Sequence, residues 1–351
     1  MSRIPLLTPD LPPLEALLPR YERIFADKRA TNFGPLNVEL EERLSKDLGC
    51  HVVTTANGTL ALELALTLLE LKPGSTVACP ALTFPATATA ICRAGHTPRF
   101  VDANPDSWCS AANEFSLGEG HDSAWLPVSA FGAGLQATQF EGAPVPLVID
   151  AAPAWGNQRA LPGAITCFSL HATKGLIAGE GGAIAVHDEK LAKRARALTN
   201  FGMGTGLVGT NGKMSEYHAA VALASLDSWP ERSAARRSAE VFYTQALTEE
   251  VPELDWQDWL TAWTRTIYPV LLPRGTDIAQ VMWDMEVAEI ETRRWYHPLV
   301  CDQYQFGGPE QWAVPVARDI GARLLGLPFF TGITPAQMER VAKYLAAALK
   351  P

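Results

Sequence analysis

Lys174 is the first residue of this sequence whose surroundings suggest chemistry. A run that predicts a buried strand, Ile165-Thr166-Cys167-Phe168-Ser169, ends five residues before it, and its neighbours are small or apolar. Lysine is rarely buried without a partner or a task, and a desolvated lysine has a lowered pKa and can form a Schiff base. The alternative interpretation is an ordinary surface lysine that follows a strand.

Asp150 supplies a carboxylate at the end of a second apolar strand, Val148-Ile149-Asp150. In open α/β sheets, ligands bind outside the carboxyl ends of the strands. Asp150 could therefore face a buried cationic ring nitrogen, or it could simply cap the next helix.

Asn57-Gly58-Thr59 is a candidate anion site, because it follows a predicted strand and opens a predicted helix. Free backbone N–H groups and the helix dipole attract negative charge at such a position. Two simpler interpretations are an ordinary N-cap and a glycosylation sequon. The sequon is disfavoured because the first residues lack the basic segment and apolar run of a secretory signal.

These three features together describe the needs of one cofactor, pyridoxal 5′-phosphate. Its aldehyde requires a lysine, and its pyridine nitrogen requires a carboxylate so that it stays protonated. Its phosphate requires a helix N-terminus and hydroxyl groups, and its flat ring favours an aromatic or apolar group on each face. The sequence therefore predicts a pyridoxal-phosphate site at one edge of a sheet.

The elements that must position these residues alternate between helix and strand from Gly34 to about Leu198. The predicted helices span 36–48, 59–71 and 83–94, and the predicted strands span 52–55, 76–79, 99–102, 124–128, 146–150, 165–169 and 183–186. Strands that are apolar on both sides and separated by helices are typical of an α/β fold with a mostly parallel sheet flanked by helices.

The pattern changes after Trp229-Pro230. A long helix is predicted to about Glu249, followed by strands over 263–272 and 288–292, and Thr334 begins a final helix with a capping box. We therefore predict a large domain over residues 1–235, which includes the N-terminal segment, and a smaller C-terminal α+β domain over residues 236–351.

Composition and charge exclude several classes of protein. Of 351 residues, 47% are hydrophobic and 19% are charged, which is typical of a folded globular protein. The net charge is −9 without a basic block, so nucleic acid is not an expected partner. The six cysteines never form Cys-x-x-Cys, so we expect free thiols and no metal. No apolar run reaches the roughly 18 residues of a membrane span, so we expect a cytoplasmic protein without a membrane partner.

With further short motifs, these residues resemble the DegT/DnrJ/EryC1/StrS family of sugar aminotransferases, which are fold-type-I pyridoxal-phosphate enzymes. The resemblance extends from Thr31-Asn32-Phe33-Gly34-Pro35 to Leu327-Pro328-Phe329-Phe330. The motifs between them are Asn57-Gly58-Thr59, Leu82-Thr83-Phe84-Pro85-Ala86-Thr87, Phe100-Val101-Asp102, Asp150-Ala151-Ala152, Ser169-Leu170-His171-Ala172-Thr173-Lys174, Gly179-Glu180-Gly181-Gly182, Asn200-Phe201-Gly202, Asn211-Gly212-Lys213-Met214-Ser215-Glu216 and Tyr296-His297-Pro298-Leu299. Each motif is weak alone, but their common order and spacing are specific.

The resemblance implies a role for each matching residue. Lys174 matches the Schiff-base lysine, which also moves the proton during transamination, and Asp150 matches the partner of the ring nitrogen. The other cofactor-binding positions are Phe84 and Ala152 on the two ring faces, Gly58, Thr59 and Ser169 around the phosphate, and Lys213, which matches a residue that reaches the phosphate from the neighbouring subunit. Thr31, Arg293 and His297 match regions that line the sugar-nucleotide pocket. Pro153 departs from the family, which usually has His or Gln there, near the phenolic oxygen of the ring.

The implied activity is transfer of an amino group, with glutamate as the expected donor, to a keto-sugar linked to dTDP or another nucleotide. The motifs are most similar to those of enzymes that aminate C4 of a 4-keto-6-deoxyhexose, and amination at C3 of a 3-keto sugar is the alternative. The expected product is a deoxyamino sugar for polysaccharide or a glycosylated metabolite, and the expected assembly is a homodimer. Relatives with histidine in place of the lysine are dehydratases, which Lys174 argues against.

Two further interpretations belong to other classes of protein. One is a non-catalytic regulatory relative, which the intact set of Lys174, Asp150 and Ser169 disfavours. The other is a nucleotide-binding α/β protein, which the missing G-x-G-x-x-G and P-loop patterns disfavour.

Overall fold

The fold is described from a computed structural model, which covers residues 2–116, 122–258, 263–308 and 311–350. Within these residues, a seven-stranded sheet has the order β1-β7-β6-β5-β4-β2-β3. Its strands are β1 (His51–Thr55), β2 (Thr76–Pro80), β3 (Thr97–Val101), β4 (Ala124–Trp125), β5 (Leu147–Asp150), β6 (Ala164–Ser169) and β7 (Gly182–Val186). All neighbouring strands are parallel except β7, which is antiparallel to both β1 and β6. The predicted, mostly parallel sheet is confirmed.

Helices cover this sheet, as its apolar strands require. Every residue of β6 and β7 is buried, a pattern that arises where both faces of a sheet are packed. The α-helices among the described residues are α1 (Leu14–Asp27), α2 (Pro35–Leu48), α3 (Gly58–Leu68), α4 (Pro85–Arg93), α5 (Ala112–Ser116), α6 (Glu189–Leu198), α7 (Glu216–Asp227), α8 (Trp229–Glu250), α9 (Ile278–Val287), α10 (Pro315–Arg323) and α11 (Pro335–Ala348). None of the described helices is long and apolar enough to cross a membrane.

The outer edge of β1 is covered by side chains of α2. The N–H of Val52 donates to Ser45 Oγ at 3.0 Å, and the N–H of Thr54 donates to Glu41 Oε1 at 2.9 Å. Unpaired edge groups can template association with another chain, and here they are satisfied within the fold.

A second, smaller sheet lies in the C-terminal part of the chain. Its strands β8 (Tyr268–Leu271) and β9 (Leu324–Leu327) pair in antiparallel fashion. Their apolar side chains contribute to a second hydrophobic core with residues of α8, α9 and α11. The second core also includes Ile4, whereas residues such as Val300 and Ile320 pack with the core around the large sheet. The domain boundary at residue 235 stays a prediction.

Two predicted strands differ from the structure. The strand predicted over 263–272 is regular only as β8. The strand predicted over 288–292 is wrong, because α9 extends to Val287 and Ile290 makes only an isolated bridge with Ile4. The partner of β8 is β9, whose sequence Leu-Leu-Gly-Leu is too short to show a period.

The fourth strand is shorter than predicted. Regular pairing of β4 stops at Trp125, and Val128 makes an isolated bridge with Asp150. Pro127 lies between Trp125 and Val128 in the chain and has no N–H to donate to a neighbouring strand.

Candidate active site

Asp150 is fixed at the carboxyl end of β5. Only 4% of its surface is exposed. The hydroxyl of Thr87 donates to its Oδ2 at 2.7 Å, and the N–H of Ala152 donates to its Oδ1 at 3.1 Å. Residues 151–156 contain turns and no helix, so Asp150 is not a helix cap. Burial raises the pKa of Asp150, whereas the two hydrogen bonds and the charge of Lys174 act to lower it.

Lys174 lies in the turn after β6. Its backbone N–H donates to the carbonyl of His171 at 2.9 Å. Removal of its side chain from water lowers the pKa of Lys174, and the charge of Asp150 opposes that change. The structure therefore brings the predicted lysine and the predicted carboxylate to the same region, with each affecting the protonation of the other.

The N-terminus of α3 and the end of β6 form a tight cradle. Asn57 caps the helix, because its Oδ1 accepts from the N–H of Leu60 at 2.9 Å. A Cβ on Gly58 would lie 2.8 Å from Ser169 Cβ and 3.2 Å from Ser169 Oγ, so only glycine permits this approach. Thr59 follows in the first turn of the same helix. Backbone N–H groups and a serine hydroxyl thus meet where a phosphate would find donors.

Phe84 and Ala152 are both linked to the hydrogen bonds of Asp150: Phe84 precedes the donor Thr87 by three residues, and Ala152 is itself a donor. Phe84 directly precedes α4, and its carbonyl accepts from the N–H of Thr87 at 3.2 Å. Its side chain is 60% exposed, which is unusual for a phenylalanine beside buried polar groups. An exposed ring at this position is available to contact a flat ligand.

Lys213 contacts the neighbouring loop of its own chain. Its Nζ donates to Asn200 Oδ1 at 3.0 Å and lies 5.0 Å from the centre of the Phe201 ring. The preceding Gly212 is joined to the loop before α3, since its carbonyl accepts from the N–H of Ala56 at 2.7 Å. Among the described residues, no hydrogen bond joins Lys213 to Ser169 within one subunit.

The residues predicted to line a sugar-nucleotide pocket, Thr31, Arg293 and His297, are exposed. Thr31 follows Ala30, whose carbonyl accepts from the N–H of Glu216 at 3.0 Å. The Arg293 guanidinium lies 4.9 Å from the centre of the Trp295 ring. Partial removal from water and the charge of Arg294 lower the pKa of His297. Within the described residues, no hydrogen bond or ion pair joins these three side chains to Lys174 or Asp150.

Two residues of this region were not singled out from the sequence. Thr87 stands three residues after Phe84 in the same motif, and this helical spacing is the signal that could have identified it. Tyr296 stacks on Phe131 with ring centres 4.9 Å apart. Burial and the charge of Asp150 raise the pKa of the Tyr296 phenol.

Pro153, which departs from the family pattern, packs against the turn at Gly132. A Cβ on Gly132 would lie 3.0 Å from the Pro153 carbonyl oxygen, and Gly132 has a φ of +95°. The backbone here is closely packed, and Pro153 offers no N–H or side-chain donor.

The comparison that decides the family covers nearly the whole chain. The sequence model of the DegT/DnrJ/EryC1/StrS aminotransferase family matches residues 15–346. The chain belongs to this family. The predicted family and fold class are confirmed, and so is the predicted activity, that of a pyridoxal-phosphate-dependent aminotransferase.

Named relatives of this aminotransferase align over most of its length. It is 28% identical to dTDP-4-amino-4,6-dideoxy-D-glucose transaminase of Shigella dysenteriae, over 95% of both chains. It is 30% identical to GDP-perosamine synthase of Caulobacter vibrioides, over 91% of both chains. The solved structure of DesI in the presence of its TDP-sugar product superposes with a TM-score of 0.91 at 30% identity, covering 99% of this chain and 93% of that one.

The residues of this aminotransferase fit the cofactor of its family, pyridoxal 5′-phosphate. The narrow approach of Gly58 to Ser169 leaves backbone and hydroxyl donors for a phosphate. Asp150 is buried and oriented by two donors, which suits a protonated ring nitrogen. Lys174 has the lowered pKa of an amine that reacts with a carbonyl group.

Proposed function

We propose that this aminotransferase converts a nucleotide-linked 4-keto-6-deoxyhexose to the 4-amino sugar, with glutamate as the amino donor. The proposal rests on one observation: Asp150, Lys174 and the Gly58–Ser169 cradle lie at the carboxyl ends of the parallel strands. The names of the chain's relatives refer to nucleotide sugars. The relatives' names refer to dTDP and GDP sugars, so we propose a nucleoside diphosphate as the sugar carrier.

The chain's own residues then have distinct tasks. Lys174 holds the cofactor aldehyde covalently and, when released, moves a proton between two carbons. Asp150 holds the proton on the ring nitrogen. The backbone of Gly58 and Thr59 and the hydroxyl of Ser169 bind the phosphate, and Phe84 and Ala152 contact the two faces of the ring. When bound, the cofactor supplies the electron sink for the transfer.

A panel of sugar nucleotides tests the substrate class. The purified enzyme is incubated with cofactor, glutamate and 3-keto or 4-keto sugars linked to dTDP, UDP or GDP, and each product is identified by mass and NMR. We expect conversion of a 4-keto-6-deoxyhexose at least about tenfold faster than any 3-keto sugar. Amination of 3-keto sugars alone would favour the C3 alternative. If glutamate also leaves the visible spectrum of the bound cofactor unchanged, the chain is a non-catalytic relative.

We further propose that the enzyme is a homodimer in which Lys213 completes the partner's site. The loop that Lys213 contacts is exposed and apolar, with Phe201, Met203 and Val208 at 61%, 69% and 91% exposure. Such a patch supports burial against a second copy. A two-fold axis would make the exchange reciprocal. Lys213 would add positive charge near the cofactor phosphate or the substrate diphosphate.

A mixing experiment separates this arrangement from a surface lysine. Lys174→Ala and Lys213→Ala subunits are combined after reversible dissociation. With random pairing, half of the dimers are mixed. If Lys213 acts across the interface, each mixed dimer has one intact site, so roughly a quarter of all sites regain activity. No recovery would mean that Lys213 serves its own subunit's site. Full activity of Lys213→Ala alone would make it a solvated surface residue.

We place the reaction in the cytoplasm, and we propose that its product enters a surface polysaccharide or a glycosylated metabolite. The acidic charge supports that location, as does the finding that no helix among the described residues is long and apolar enough to span a membrane.

A further inference from the structure

Two side chains, one from α7 and one from α8, form hydrogen bonds with the turn that follows Lys174. Arg232 Nη1 donates to the carbonyl of Gly175, the residue directly after Lys174, at 3.0 Å. The N–H of Ile177 donates to Ser225 Oγ at 3.1 Å. Both peptide groups that flank Leu176 are therefore tied to helices outside the sheet.

Arg232 is itself immobilised by its remaining donors. Its Nη2 donates to the carbonyl and the Oγ of Ser225, both at 2.8 Å, and its Nε donates to Ser228 Oγ at 3.1 Å. Only 9% of Arg232 is exposed. A planar guanidinium with fixed donors holds its partners in one geometry, which a lysine cannot do.

Asp10 compensates the buried charge of Arg232. Its Oδ2 lies 3.4 Å from Arg232 Nη1 and accepts from Arg236 Nη2 at 2.9 Å and from the hydroxyl of Thr331 at 2.7 Å. Because a buried cation is costly unless paired, Asp10 keeps Arg232 in place. The same carboxylate joins the N-terminal segment and the segment after β9 to this cluster.

Side chains of α8 and of the segment before β8 pack closely against Gly175. A Cβ on Gly175 would lie 3.1 Å from Trp229 Cη2 and 3.3 Å from Thr266 Cγ2. The Arg232 guanidinium lies 5.4 Å from the centre of the same Trp229 ring. The turn is thus confined both by contacts and by hydrogen bonds.

We propose that Arg232 is a positioning residue for Lys174: with Ser225 it fixes the turn 175–177 and so keeps the lysine amine oriented and shielded from water. The inference rests on the proposed role of Lys174. Loss of the Arg232 contact would free the Gly175 carbonyl and admit water to the turn. A better hydrated lysine amine has a higher pKa.

Two measurements on the cofactor-free protein test this proposal. The variants are Arg232→Met and Ser225→Ala, and the matched control is Arg236→Met. Arg236 is on the same helix, is 5% exposed and also pairs with Asp10, but it bonds to the carbonyl of Thr266 instead of Gly175. Amide hydrogen exchange reports the turn, and the pH midpoint of Lys174 acetylation by acetic anhydride reports the amine.

In both variants we expect peptides that contain residues 174–178 to exchange at least about tenfold faster than in the native protein. We also expect the acetylation midpoint to rise by at least about half a pH unit. The Arg236→Met control should leave both unchanged. Equal effects in Arg232→Met and Arg236→Met would mean that Arg232 only stabilises the fold, and the proposal would fail. If Arg232→Met does not fold, Ser225→Ala decides by the same criteria.

The proposed role of Lys174 has a separate test. Pyridoxal 5′-phosphate is added to native protein and trapped with borohydride, and the modified peptide is identified by mass spectrometry. Absence of the label on Lys174 would refute its role in cofactor attachment. The exchange and acetylation results would still decide whether Arg232 positions the turn.

Discussion

Replacing Lys174 with alanine is expected to prevent covalent attachment of the cofactor and to reduce turnover by about 10⁴-fold or more. The amine is needed twice, first to bind the aldehyde and then to move a proton. The next lysine along the chain, Lys190, is exposed on α6 and serves as a comparison.

Borohydride trapping and single-turnover kinetics check this expectation. Borohydride should attach no cofactor to the Lys174→Ala protein. When this variant is supplied with the aminated form of the cofactor, its amination of a keto-sugar should be undetectable. Lys190→Ala is the matched control, and it should retain native labelling and rate. A normal single turnover by Lys174→Ala would show that another residue moves the proton.

The parts of the site that could be predicted from sequence depend on neighbours along the chain. Asn57 caps α3 three residues before the N–H that it accepts from, and Asp150 ends a strand that is apolar by itself. The carboxyl ends of β5 and β6 then meet because the strands are parallel and Asp150 pairs with Cys167. Local patterns and sheet topology together were sufficient to bring Asp150 and Ser169 to one edge.

The parts that could not be predicted depend on residues far apart in the chain. The carboxylate of Glu216 caps α2, accepting from the N–H groups of Leu36 and Asn37 at 2.8 Å each, across about 180 positions. The contact of Arg232 with Gly175 is of the same kind. An arginine in a helix is ordinarily solvent-exposed, and only the tertiary structure reveals that this one is buried against the turn after Lys174.

The secondary-structure prediction failed where tertiary pairing outweighed the local preference of the sequence. The region 288–292 contains Ile290, which pairs with Ile4 from the other end of the chain instead of joining a strand ladder. Conversely, β9 forms because it lies beside β8, although its glycine and short length weaken any local preference for a strand.

The second prediction with a large effect concerns Asp150. Replacing it with asparagine should leave the cofactor bound within about tenfold of native affinity, but slow the proton shift by about 10²- to 10³-fold. The amide has nearly the same shape, and its oxygen can still accept from the N–H of Ala152 while its NH₂ group donates to Thr87 Oγ1, which can reverse its hydroxyl. Geometry is thus preserved, and only the negative charge that favours a protonated ring nitrogen is lost.

The control for Asp150→Asn is a second carboxylate at the end of a strand. Asp102 follows β3 and accepts from the N–H groups of Val316 and Ala317 at 3.0 and 2.7 Å, so it caps α10. Asp102→Asn should leave the rate unchanged but cost about 1–3 kcal/mol of stability, because the NH₂ group that replaces one oxygen cannot accept from an N–H group. Stopped-flow absorbance with α-deuterated glutamate measures the proton shift directly. A larger isotope effect in Asp150→Asn would mean that proton movement has become rate-limiting, whereas a near-native rate would reduce Asp150 to a structural hydrogen-bond acceptor for Thr87 and Ala152.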